Sequence, residues 1–229
     1  MNSRLSRAVL PFCSKAIDSV IFSLAGFSVL MIIIRVLLTA RFTFMFLFWN
    51  LFLAFIPLCI TSILFFRIRI MKNKFLFSLF VLIWIAFLPN TFYLITDLVH
   101  LKPVLNLPQW YDLTLLFSIA LTGLVIGITT IRRMEFFVQL VFPLLRGIRF
   151  ILPVMFLSAA GVYLGRFQRY NSWDILTDTP SLLKDIYAFI MNPAIYQSAW
   201  AMIGCFTIFL FLTYRCFSEL RNISRNSEG

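Results

Sequence analysis

Long apolar stretches without a charged residue constrain this chain more than any other feature. Residues 42–66 and 75–96 contain no Asp, Glu, Lys or Arg, and an uncharged apolar run of about 18 residues or more is typical of a membrane-spanning helix. The composition agrees, because 61% of the 229 residues are hydrophobic and only 13% are charged. The sequence therefore predicts an all-α fold, a polytopic transmembrane helix bundle.

We expect about six spans in a single transmembrane domain that covers residues 1–229, with short interfacial helices between them. The only charged residue inside the first run is Arg35. It stands near one end, where a long side chain can snorkel to the interface. The predicted spans are 19–40, 42–66, 75–96, 112–131, 148–165 and 194–214.

The second half of the chain contains less regular segments. Because Arg146 and Arg149 divide the apolar region there, we expect an interfacial helix over 135–145 before the fifth span. Asn192-Pro193 has the chemistry of a helix start and favours a sixth span that begins directly after it. Thr179-Pro180 is expected to begin a short amphipathic helix on the outer surface.

The distribution of basic residues predicts the orientation, since Lys and Arg collect in cytoplasmic loops. With six spans and both termini in the cytoplasm, 14 of the 20 basic residues fall on the cytoplasmic side. This excess also matches anionic lipid headgroups, so membrane lipids are expected partners. The basic residues flank spans and form no folded patch, so we expect no binding to nucleic acid.

The stretch LPNTFYLITDLVHL (88–101) contains the only histidine of the chain, His100, three residues after Asp97. The third span runs outward in the predicted topology, so both residues reach the extracytoplasmic face. Asp and neutral His suit a divalent metal, and a His beside an Asp also suits a general base with its orienting group. Asp97, His100 and Asp112, at the start of the fourth span, are therefore candidate catalytic residues. The alternative is that Asp97 and His100 are only the hydrated end of a helix, and that Asp112 only offsets a helix dipole.

Further polar residues are expected near the same face as ligand-binding candidates. Pro89 should kink the third span and free the carbonyl of Ile85. Asn50 and Asn90 fall at matched depth in neighbouring spans, so we expect their amides to bond to each other or to a shared water. Paired arginines suit a phosphate, although they also snorkel to lipid phosphates. The candidate ligand-binding residues are Asn50, Asn90, Tyr93, Arg166, Arg169 and Asp174.

Small residues indicate close helix packing. Gly123/Gly127 and Gly161/Gly165 have the GxxxG spacing, which we assign to close packing of spans four and five. The four cysteines are scattered without metal-ligand spacing, and we interpret them as packing residues. Neither a metal nor a cofactor is specified by the sequence.

Four ordered motifs carry a resemblance to a known family. They are WNLFLAFIPL (49–58), LPNTFYLITDLVHL (88–101), WYDLTLLFSIALTGL (110–124) and GVYLGRFQRYNSWDIL (161–176). Together they resemble the domain-of-unknown-function 1361 family of bacterial membrane proteins, although Thr91-Phe92 stands where Ala-Pro is usual in that family. The resemblance implies a multi-pass bacterial membrane protein, and it implies no activity and no catalytic residues. We expect the protein in the bacterial cytoplasmic (inner) membrane.

Three functions stay open at this point. The first is a binding or catalytic site on the extracytoplasmic face for an anionic headgroup, a lipid-linked substrate or a metal. The second is a non-enzymatic partner or scaffold of a membrane complex, with the polar cluster as its docking surface. The third is a transporter, although the sequence shows no internal repeat of the kind that many transporters carry. The sequence does not decide whether the protein is an enzyme.

Overall fold

The computed structural model describes residues 15–101, 108–168, 184, 187–189 and 191–226. The regular structure of these residues is helical, with a 3₁₀ turn at Asp97–His100. The α-helices are α1 Lys15–Thr39, α2 Met45–Phe66, α3 Arg69–Lys72, α4 Lys74–Phe87, α5 Pro89–Thr96, α6 Gln109–Val141, α7 Ile148–Phe167 and α8 Gln197–Asn226.

Six helical segments are long and apolar enough to cross a membrane, which confirms the predicted fold class. They are Ala16–Thr39, Met45–Phe66, Lys74–His100, Gln109–Val141, Ile148–Phe167 and Gln197–Leu220. The short helix α3 lies in the connection between the second and third spans. The amphipathic helix predicted after Thr179-Pro180 lies outside the described residues.

The predicted interfacial helix over 135–145 is wrong. Helix α6 continues without interruption to Val141 and contains 33 residues, about 50 Å at 1.5 Å per residue. The charged residues near its end do not stop it, because Arg133 is buried and bonded to Asp18 of α1. The chain turns later, at Gly147, whose φ of +61° is a conformation that favours glycine.

The sixth span also begins later than predicted. Asn192 and the residues after it form a turn, in which the Ile195 and Tyr196 amides donate to the Asn192 carbonyl at 3.0 and 3.3 Å. The Asn192 side chain donates back to the Ala188 carbonyl at 3.0 Å. Since that side chain bonds backwards along the chain, it does not cap the following helix, which begins at Gln197.

The predicted break in the third span is present at Pro89. Helix α4 ends at Phe87 and α5 begins at Pro89, where the missing proline N–H is tolerated because the first turn needs no donor. Two side chains bond the carbonyls at the break. Asn90 Nδ2 donates to the Phe87 carbonyl at 3.1 Å, and the Thr91 hydroxyl donates to the Leu88 carbonyl at 2.8 Å.

The described chain divides into two compact units, the first up to Arg146 and the second from Gly147. In the first unit α6 is the central helix and packs against α1, α2 and α5. In the second unit α7 packs against α8 around a core that includes Ala159, Tyr163 and Ile203. The single domain over residues 1–229 stays a prediction.

The glycines of α6 form a contact that differs from the predicted one. A Cβ on Gly123 would lie 2.2 Å from the Thr91 carbonyl oxygen, and one on Gly127 would lie 2.5 Å from the Phe92 ring. The GxxxG face of the fourth span is therefore filled by α5, the outer part of the third span. Sequence spacing identified the close approach of span four but assigned it to packing with span five, because spacing alone does not specify the partner helix.

Candidate functional site

The first unit brings several polar residues together where α1 and α5 end and where α2 and α6 begin. We call this region the Asp112 end and define it by Arg35, Asn50, Asp97, His100 and Asp112. Helix α1 contributes Arg35, α2 contributes Asn50, and the first turn of α6 contributes Asp112. Asp97 and His100 belong to the 3₁₀ turn after α5.

Arg35 and Asp112 form a buried ion pair at this end. Arg35 Nε donates to Asp112 Oδ1 at 2.8 Å and Nη2 donates to Oδ2 at 3.1 Å. The two side chains are only 3% and 4% exposed. The expectation that Arg35 snorkels to the interface is therefore wrong, because this bidentate pairing with a carboxylate keeps its charge satisfied inside the protein.

Two further residues, Thr43 and Phe44, contact the Arg35 side chain. Its Nη1 donates to the Thr43 hydroxyl at 3.2 Å, and its Cζ lies 3.9 Å from the centre of the Phe44 ring, in a cation–π contact. The hydroxyl of Tyr111, the residue directly before Asp112 in α6, donates to the Met31 carbonyl of α1 at 2.8 Å. Asp112 thus accepts a hydrogen bond from Arg35 at both of its oxygens, which suits a positioning group better than a catalytic one.

Asp97 is the second buried carboxylate of the Asp112 end. It is 0% exposed, and Asn50 Nδ2 of α2 donates to its Oδ2 at 3.1 Å. A buried carboxylate needs such donors because its removal from water is expensive. The Asn50–Asn90 hydrogen bond stays a prediction, since the Asn50 amide bonds to Asp97 and the Asn90 amide bonds to the Phe87 carbonyl.

His100 is exposed, unlike the two carboxylates. Its ring meets the Phe46 ring edge-on, with centroids 5.2 Å apart and planes 66° apart. Phe46 in turn lies 6.2 Å from Phe44, the ring beneath the Arg35 guanidinium. A continuous series of contacts therefore connects the exposed imidazole to the buried ion pair through two phenylalanines of the α2 start.

The candidate Tyr93 and two other residues of the first unit lie deeper than this group or beside it. Tyr93 is half-buried in α5. Ser118 is buried in α6, and its hydroxyl lies 3.0 Å from the Ser28 hydroxyl of α1. Trp110 is exposed at the start of α6, as expected of an interfacial aromatic residue.

The remaining candidates belong to the second half of the chain. Arg166 is half-buried in the last turn of α7, in the second unit, and Arg169 and Asp174 lie outside the described residues. Their convergence with the Asp112 end therefore stays a prediction. Within the described residues, the structure brings together no group of three or more His, Cys, Asp or Glu side chains that could hold a metal ion.

A second ion pair joins α1 and α6 at the end opposite the Arg35–Asp112 pair, and it was not predicted from the sequence. Arg133 Nη2 of α6 donates to Asp18 Oδ1 of α1 at 2.5 Å, with side chains 1% and 34% exposed. Asp18 and Arg35 are 17 residues apart in α1, about 26 Å along a helix, which is close to the hydrocarbon thickness of a bilayer. The sequence signal that could have indicated this pair was the presence of a charged residue, Asp18 or Arg35, near each end of the first apolar run.

Six spanning segments with their buried charges near the helix ends define a polytopic integral membrane protein. Residues 49–213 match the sequence model of the DUF1361 family, which is described as a protein of unknown function. The chain therefore belongs to this family, and the resemblance carried by the four motifs is confirmed. Comparisons with curated proteins and with solved structures found no match.

Proposed function

We propose that the Asp112 end is an extracytoplasmic binding site for an anionic group, such as the phosphate of a lipid headgroup or of a lipid-linked substrate. This proposal includes the predicted topology, with both termini in the cytoplasm of a bacterial inner membrane. His100 is the residue that contacts the ligand. Asp97 and Asn50 position its turn, and Arg35 with Asp112 fixes the helices around it.

One observation carries the proposal: a fully buried carboxylate, Asp97, is bonded across helices to Asn50 only three residues before the exposed His100. A short 3₁₀ turn connects the two residues. Because buried polar pairs fix one geometry, the imidazole is presented from a rigid base. An exposed imidazole on such a base can donate to a phosphate oxygen.

Binding of a soluble headgroup analogue tests this proposal. The full chain is placed in phosphatidylcholine nanodiscs, and its affinity for glycerol 1-phosphate is compared with its affinity for glycerol. We expect measurable binding of the phosphate compound alone, and a loss of at least about tenfold in His100→Ala. Arg41→Gln is the matched control, because Arg41 is another exposed basic residue in the connection between α1 and α2. Equal affinity of wild type and His100→Ala would overturn the proposal.

A docking surface for a membrane-protein partner is the second candidate function. Exposed apolar side chains favour it, since Val99 is 73% exposed beside His100 and Trp110 is 63% exposed at the start of α6. A photo-crosslinker at Val99 tests this function in the native membrane. A single crosslinked protein that disappears in Trp110→Ala would support docking, whereas crosslinks to lipid alone would exclude it.

The described residues give no support to a transporter. The fully or nearly buried charged side chains are Arg35, Asp97, Asp112 and Arg133, and all four lie toward the ends of their helices. The buried polar residues at intermediate positions of the spans are serines and threonines. A proton relay across the membrane needs ionisable groups along its path, and serines and threonines are not ionisable at neutral pH.

A further inference from the structure

A basic turn lies at the end of the first unit opposite the Asp112 end. We define the basic turn as residues 67–74, where α2 is connected through α3 to α4. Its four cations, Arg67, Arg69, Lys72 and Lys74, are all exposed. No Asp or Glu occurs anywhere between Asp18 and Asp97, so the neighbouring sequence supplies no compensating charge.

The backbone of the basic turn is held in one conformation. The Ile70 amide donates to the Arg67 carbonyl at 2.9 Å, and the Asn73 amide donates to the Ile70 carbonyl at 3.2 Å. The Asn73 side chain caps α4 by accepting from the amides of Phe75 and Leu76 at 3.0 and 3.2 Å. The backbone positions that carry the four basic side chains are therefore defined.

The side chains add two further features. Arg69 and Lys72 are three residues apart in α3 and share one face. Lys74 lies with its Nζ 5.9 Å from the centre of the Phe142 ring, just after α6. In the described part of the chain, the ion pairs at carboxylates involve other cations, so these four remain available to an external anion.

Apolar residues on both sides of the basic turn indicate its depth in the membrane. Phe66, the last residue of α2, is 78% exposed, and Phe75, in the first turn of α4, is 81% exposed. Ile68 within the turn is also exposed. Because large exposed aromatic side chains at the ends of spans partition into the acyl and interfacial region, we expect the adjacent cations to lie at the level of lipid phosphates.

We infer that the basic turn is a binding site for the headgroup of an anionic phospholipid, with Arg69 and Lys72 as its main phosphate contacts. The positive-inside rule requires only a number of charges on this side. A site requires in addition a defined backbone spacing, no carboxylate in the neighbouring sequence and flanking apolar anchors, and the basic turn has all three. The inference concerns the other end of the unit and does not depend on the function proposed for His100.

Retention of phosphatidylglycerol by the full chain tests this inference. The protein is reconstituted in nanodiscs of phosphatidylcholine with or without phosphatidylglycerol, and its Tm and its bound phosphatidylglycerol are measured. We expect a higher Tm with phosphatidylglycerol for wild type. In Arg69→Gln/Lys72→Gln that gain should disappear and the affinity for phosphatidylglycerol should fall roughly thirtyfold, because each of the two basic residues near an anionic surface contributes about 1 kcal/mol.

The matched control is Arg146→Gln/Arg149→Gln, which removes two other exposed basic residues on the same predicted side of the membrane. It should retain the phosphatidylglycerol effect. Arg69→Lys/Lys72→Arg, which keeps both charges, should retain it as well. An equal loss in the two glutamine doubles would indicate diffuse charge and overturn the site, and so would an unchanged affinity in Arg69→Gln/Lys72→Gln.

Discussion

Arg35 donates to both carboxylate oxygens of Asp112, at 2.8 and 3.1 Å, and so joins the end of α1 to the beginning of α6. The same two helices are joined at their other ends by Asp18 and Arg133, and between these points by Ser28 and Ser118. Each helix has its aspartate nearer its N-terminus and its arginine nearer its C-terminus, so opposite charges meet when the two helices run antiparallel. These three contacts specify the register of α1 on α6.

Removal of one partner of the Arg35–Asp112 pair should destabilise the protein strongly. Arg35→Met leaves a buried carboxylate and Asp112→Leu leaves a buried guanidinium, and each change should lower the free energy of unfolding by about 3–5 kcal/mol. The double substitution should lose less than either single one, because it leaves no uncompensated charge. Unfolding titrations in mixed micelles measure all three variants, with exposed Arg41→Met as the control. Additive losses in the double variant would contradict this coupling.

The Asp18–Arg133 pair should respond asymmetrically. Arg133 is 1% exposed and Asp18 is 34% exposed, so Asp18→Ala leaves a buried guanidinium without this carboxylate, whereas Arg133→Met leaves a carboxylate that water can reach. We expect the loss of unfolding free energy in Asp18→Ala to exceed the loss in Arg133→Met by about 1–2 kcal/mol. The same unfolding titrations compare the two variants. A larger loss in Arg133→Met would show that the packing of the arginine stem outweighs its charge.

The glycine contacts of α6 predict a steric effect with internal controls. Alanine at Gly123 or Gly127 would press on the Thr91 carbonyl or the Phe92 ring of α5, and overpacking of this kind costs about 1–3 kcal/mol. Alanine at Gly26 or Gly204 would meet nothing within 4 Å, so stability should be unchanged or raised by up to about 1 kcal/mol through helix propensity. Thermal unfolding in detergent measures the four variants. Equal effects at all four positions would contradict the α5–α6 contact.

The sequence predicted the helical spans because apolar run length depends only on local composition. It also predicted the break at Pro89, since proline removes a backbone donor wherever it stands. The partner of Arg35 was missed because it lies 77 residues away, and an arginine near a span end can equally snorkel to water. Likewise the length of α6 depends on Asp18, 115 residues from Arg133.

Two candidate residues have hydrogen-bond partners that the sequence did not indicate, for the same reason. Asp112 was selected as a catalytic candidate from its position at a helix start, and that position did not indicate its pairing with Arg35. The match of Asn50 to Asn90 by depth stays a prediction, and depth alone did not indicate the hydrogen bond from the Asn50 amide to Asp97. Long-range pairing of polar groups is the part of this site that a single sequence does not contain.

The predicted topology has a direct test with reporter fusions. A reporter after Gly229 and a reporter inserted within residues 102–107 should indicate opposite sides of the membrane, because three spans separate the two positions. The first should report the cytoplasm and the second the extracytoplasmic side. Reports from the same side would show that the number of spans is wrong, and a reversed pair of reports would place the Asp112 end in the cytoplasm.

The single histidine makes the proposed site directly observable. In protein labelled with ¹⁵N only at histidine, and with any affinity tag removed, the imidazole signals come from His100 alone. We predict that glycerol 1-phosphate shifts these signals saturably in phosphatidylcholine nanodiscs, that glycerol does not, and that Asn50→Ala weakens the response by releasing the Asp97 turn. Signals that remain unchanged through millimolar glycerol 1-phosphate in folded wild-type protein would contradict anion binding at His100.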